Sequence, residues 1–132
     1  MVRTIADKRN PFGQKKVGTV SFTIGAETSN AITVNVVVKD ASGVASTVRT
    51  WVNWFLSSDA NGDTKAAAAS GGVAIGTNGH LTALVTGVSG WAFSEANGTI
   101  DFVITDTTTR NVYLNILLPD GTVATSSIIA FA

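Results

Sequence analysis

The sequence predicts an all-β protein, an antiparallel immunoglobulin-like β-sandwich with an extended N-terminal arm. Three observations predict it: period-2 alternation of β-branched and aromatic residues, turn residues between the alternating runs, and almost no helical periodicity.

The runs follow in order. Val20, Phe22 and Ile24 alternate with Thr19, Ser21 and Thr23, and Ile32, Val34, Val36 and Val38 with Thr33, Asn35, Val37 and Lys39. Val48, Val52, Trp54 and Leu56 share one parity; Arg49, Trp51, Asn53 and Phe55 share the other. Leu81, Ala83 and Val85 come next, then Trp91 and Phe93. Ile100, Phe102 and Ile104 flank Asp101 and Val103, and Val112, Leu114, Ile116 and Leu118 alternate with Tyr113, Asn115 and Leu117. In the last run, 123–131, Ile128 and Ala130 oppose Ile129 and Phe131. Asp40–Gly43, Ser57–Asp63, Glu95–Gly98 and Pro119–Gly121 separate runs with residues that tolerate the positive φ of tight turns. About eight short strands with such turns indicate a sandwich. No Cys…Trp…Cys pattern is present, which excludes a true antibody-type domain. Ala66–Ala69 favours helix but runs into Ser70-Gly71-Gly72, so it is expected to be a flexible inter-strand loop.

Charge divides the chain in two. Residues 1–16 carry Arg3, Lys8, Arg9, Lys15 and Lys16 against Asp7, five cations against one acid, a net of +4. Residues 17–132 carry four cations against eight acids, a net of −4. A basic arm, 1–16, is therefore expected before a sandwich domain, 17–132. The arm has too few apolar residues to offset its own ordering entropy, so it is expected to order only on a partner. With an acidic body, an acidic protein surface suits it better than nucleic acid, and a neighbouring copy offers one. Charged residues are 14% of the chain, against about 25% for an ordinary domain. There is no cysteine, hence no disulfide and no thiolate chemistry. No apolar run reaches the roughly 18–20 residues of a membrane helix, and no secretory h-region follows Met1. Synthesis in a cytoplasm and no membrane partner are expected.

No catalytic constellation is evident, and no enzyme activity or cofactor is expected. His80 is the only histidine, so neither a multi-histidine metal site nor an assembled triad is indicated. Most carboxylates stand in turns, which accounts for them without a glycosidase role. Asp59, Asn61 and Asp63 have the D-x-N-x-D start of a calcium loop, but Thr64 stands where the loop needs glycine and Ser70 where it needs an acid. This leaves a weak metal candidate beside an ordinary polar turn. Gly71–Gly76 and Gly76–Gly79 lack the lysine and helix of a phosphate cradle. Trp51 and Trp54, three apart on a strand, face opposite sides. Val52, Trp54 and Leu56 suit the core, which turns Trp51 and Phe55 outward with Arg49 and Asn53. Two outward aromatics call for cover by a loop, the arm or another subunit. The candidate partner-binding residues are thus Arg3, Lys8, Arg9, Lys15, Lys16, Arg49, Trp51 and Phe55.

The stretches Gly18-Thr-Val-Ser-Phe-Thr-Ile-Gly-Ala-Glu27, Val36-Val-Val-Lys-Asp-Ala-Ser-Gly43, Asp59-Ala-Asn-Gly-Asp63, Gly71-Gly-Val-Ala-Ile-Gly76 and Leu118-Pro-Asp-Gly-Thr-Val123, with the Ile-Ile-Ala-Phe-Ala ending, resemble small immunoglobulin-like virion proteins of tailed bacteriophages, of the capsid decoration, cement or head-fibre type. The resemblance spans about 17–132 and lies in style and turn placement. It implies a structural protein on the outer capsid surface, partnered by the major capsid protein and by its own copies as a trimer or dimer, with no catalytic residue. The basic arm departs from it and would suit an anchor. Tail, baseplate or fibre location, or a carbohydrate- or host-surface-binding module in which Trp51 or Trp91 stacks on sugar, are the alternatives.

Overall fold

The structure, a computed structural model, describes residues 17–132. The expected arm lies outside them. The described residues form ten strands and no helix: β1 (Val17–Ile24), β2 (Ala31–Asp40), β3 (Trp51–Ser57), β4 (Val73–Ile75), β5 (His80–Val85), β6 (Ser89–Phe93), β7 (Thr99–Thr105), β8 (Arg110–Leu117), β9 (Val123–Thr125) and β10 (Ile129–Phe131). All pairings are antiparallel. One sheet has the order β1-β2-β7-β4; the other runs β10-β8-β3-β6-β5, with β9 also paired to β8. The fold is an antiparallel β-sandwich.

Alternation explains why the sheets stack. Val34, Val36 and Val38 of β2 and Ile100, Phe102 and Ile104 of β7 point inward from the first sheet. Val52, Trp54 and Leu56 of β3 and Val112, Leu114 and Ile116 of β8 meet them from the second. Trp54 and Phe102 lock the layers together, their rings 5.9 Å apart at 63°, an edge-to-face contact. The outward residues of the first sheet include Ser21, Thr23, Thr33, Asn35, Thr99 and Asp101, a polar surface. Asp101 is buried there, accepting Asn35 Nδ2 at 2.6 Å and Asn78 Nδ2 at 2.8 Å.

Three expectations change. β3 begins at Trp51, not near Val48, which is exposed. The Thr50 hydroxyl and the Ser46 hydroxyl both donate to the Val48 carbonyl, bending the chain away before the strand starts. β4 forms within the glycine-rich 71–76 stretch, where no strand was expected, and the single run expected over 123–131 divides into β9 and β10. Finally, the Ala66–Ala69 loop is pinned. Ala66 and Ala69 are buried in the core, and their N–H groups donate to the Leu56 and Gly87 carbonyls.

Candidate interaction face

The outer face of the second sheet differs from that of the first. β3 turns Trp51, Asn53 and Phe55 outward, because Val52, Trp54 and Leu56 face the core. β6 turns Trp91 and Phe93 outward on either side of buried Ala92. The ladder pairs Trp51 with Phe93 and Asn53 with Trp91. Trp51 and Trp91 therefore stand diagonally across β3 and β6, and their rings stack at 5.1 Å and 20°. Trp51 remains 41% exposed, Trp91 42% and Phe93 39%. Asn53 Oδ1 is buried beside this stack and finds no hydrogen-bond partner among the described residues. Leu117, opposite Asn53 on β8, and exposed Val123, opposite Leu117 on β9, extend the apolar row.

The rim is held by a small polar network. Arg49 Nη2 lies 3.2 Å from Glu95 Oε2, while Glu95 Oε1 accepts the Gly79 N–H at 3.0 Å. His80, exposed, pairs with Phe93 at the same end. At the other end the face is closed by the 58–65 loop. Asn115 is fully buried there; its Nδ2 donates to Ser57 Oγ at 2.8 Å and its Oδ1 accepts the Thr125 hydroxyl at 2.7 Å. Gly62 sits on that amide with φ +75°, and a Cβ would come within 2.5 Å of Asn115 Oδ1, so only glycine fits.

The expected partner-binding residues divide accordingly. Arg49, Trp51 and Phe55 lie along β3 and the turn before it, Trp51 exposed and Phe55 half-buried. Arg3, Lys8, Arg9, Lys15 and Lys16 lie outside the described residues. Phe93, and the pairing of Trp91 with Trp51, were not anticipated. The alternation around Ala92 was the available signal; the ladder that joins β6 to β3 was not visible in it.

The other polar clusters bind the fold together. Asp59 Oδ1 accepts the main-chain N–H groups of Asp63 and Thr64, at 3.0 and 3.2 Å, so it caps its own loop. Among the described residues no three His, Cys, Asp or Glu side chains gather as a metal site would require. Asp106 is buried and receives Arg110 Nε at 2.8 Å, the Thr108 hydroxyl at 2.6 Å and the Thr108 N–H at 2.9 Å. Burial alone would raise this carboxyl, but the Thr108 hydrogen bonds, then the Arg110 hydrogen bond and charge, hold it below its ordinary value. Among the described residues no helix is long and apolar enough to cross a membrane. A scan against known protein families finds none that matches this chain, and no well-characterised protein sequence is similar to it.

Proposed function

We propose that the chain is a non-catalytic structural protein of a tailed-bacteriophage virion, a decoration or cement protein that stabilises the outer capsid surface. The sandwich sits over a junction between capsid subunits, and the basic segment 1–16 reaches to the major capsid protein or a neighbouring copy. It is made in the bacterial host cytoplasm and ends on the particle, as one of several copies. The observation that carries an assembly role is the stacked, uncovered Trp51–Trp91 pair on a sheet face whose opposite number is polar. Exposed contiguous aromatic surface marks interaction sites, and tryptophan is enriched at their centres. The phage context comes from the resemblance in strand and turn style.

Co-sedimentation of the full chain, and of a chain lacking residues 1–16, with undecorated tailed-phage capsids at low and high salt tests this. Binding by the full chain, weakened by salt and lost on truncation, is expected. If neither chain binds, the capsid reading fails and a tail, baseplate or fibre position takes its place. One observation also favours a carbohydrate- or host-surface-binding role: two adjacent tryptophans offer ring faces to a sugar. A glycan that raises the melting temperature, with the rise lost in Trp91→Ser, would select that reading.

A further inference from the structure

We propose that β5 is a dimerisation edge, pairing antiparallel with β5 of a second copy so that the two larger sheets become continuous. β5 ends the second sheet, and no described strand pairs with its far side. The ladder shows which groups that side presents. Ser94 N–H donates to the Thr50 carbonyl, so in antiparallel alternation Ala92 and Gly90 bond toward β3 while Trp91 and Phe93 bond toward β5. Their partners on β5 are Thr82 and His80. The N–H and C=O groups of Leu81 and Ala83 consequently point to the open side.

Natural edges are guarded by charge, proline or bulges. Residues 66–94, which contain β4, β5 and β6, hold no Asp, Glu, Lys, Arg or Pro. Among the described residues the guard is the irregularity between Ala83 and Val85, which leaves residues 80–83 in regular register. Leu84, at that irregularity, is 68% exposed. Gly90 lets β5 lie close here: a Cβ on it would come within 2.0 Å of the Thr82 carbonyl oxygen.

Charge selects the occupant. Residues 17–132 carry a net of −4, so two copies repel wherever their acids face each other. Along β5 an identical body approaches without like charges on the facing strands meeting. A strongly acidic or basic segment, the 1–16 arm included, would find no counter-charge there. A two-fold axis near Thr82 sets Leu81 against Ala83 of the second copy and His80 against Leu84, all uncharged when His80 is neutral. The dimer also places both Trp51–Trp91 stacks on one face of the joined sheet, so two weak contacts to a surface act together. The pairing itself stands whether or not that surface is a capsid.

Sedimentation velocity on the full chain over a wide concentration range tests this, with Ala83→Pro and Thr82→Glu as variants. Proline is tolerated on an edge strand where its N–H faces solvent, so Ala83→Pro keeps the fold while removing an outward donor. Thr82→Glu sets two acids directly opposite each other on the axis, and like charges at facing strand positions destabilise a pair. The expected result is a concentration-dependent dimer for the parent and monomers for both variants, with circular dichroism unchanged. Trp91→Ser should remain dimeric, which separates failure of this pairing from failure of the docking face. A parent that stays monomeric throughout, a trimer, or a dimer that survives both variants would overturn the proposal.

Discussion

Trp51 and Trp91, forty residues apart in sequence, stack at 5.1 Å on the outside of the sandwich, while Trp54, three residues from Trp51, is buried and meets Phe102 across the core. One strand thus turns its two tryptophans to opposite faces, one exposed on the outside of the sheet and one packed between the sheets.

Removing the surface ring should cost little stability. A stacked aromatic pair contributes about 0.5–1.5 kcal/mol beyond its burial, so Trp91→Ser should shift the melting temperature modestly while abolishing partner binding. Calorimetry beside the co-sedimentation assay checks both halves.

Trp54 should behave in the opposite way. Trp54→Ala empties the centre of the core and should cost about 3–5 kcal/mol. Trp54→Phe should be much milder, because it keeps an aromatic ring in the core and removes Nε1, a buried donor with no partner among the described residues. Urea titrations of the two variants should separate clearly.

Asp106 gives the fold an acid limb. Its folded value is depressed, so the unfolded chain takes up the proton first. The stability it contributes is fully present above the ordinary carboxylate value of about 4 and is lost as the pH falls through the depressed folded value. Asp106→Asn should lower stability at pH 7 and flatten the fall below about pH 4, read from unfolding midpoints between pH 7 and pH 2.

The 58–65 loop should depend on its own hydrogen bonds. With Asp59 Oδ1 capping two amide groups, Asp59→Ala should cost about 1 kcal/mol whether or not calcium is added. Melting curves of the parent with calcium and with chelator should coincide; a clear rise with calcium would restore Asp59, Asn61 and Asp63 as a metal site.

The parts of this fold legible in sequence are those governed by local alternation. Val34, Val36 and Val38, or Ile100, Phe102 and Ile104, show their inward parity residue by residue, and the opposed parities of Trp51 and Trp54 follow from spacing alone. Pairing between distant strands is a tertiary property. Nothing local to Trp91 shows that β6 lies beside β3, so the aromatic face could be read only in part from Trp51 and Phe55. β4 and β9, at three residues each, are too short to show a period. Ala66 and Ala69 are small enough to enter the core from a loop, where composition reads as solvent-facing. Asn115 is polar by type but buried because Ser57 and Thr125 satisfy its amide while the Gly62 turn covers it.

The outer face of the larger sheet is expected to take the partner. Hydroxyl-radical footprinting with mass spectrometry, on the full chain free and bound to undecorated capsids, reads that face residue by residue. Protection of Trp51, Trp91 and Phe93 on binding, with Val48 and Ile128 unchanged, is the predicted result. Equal oxidation of Trp51 and Trp91 in the free and bound chain would contradict it.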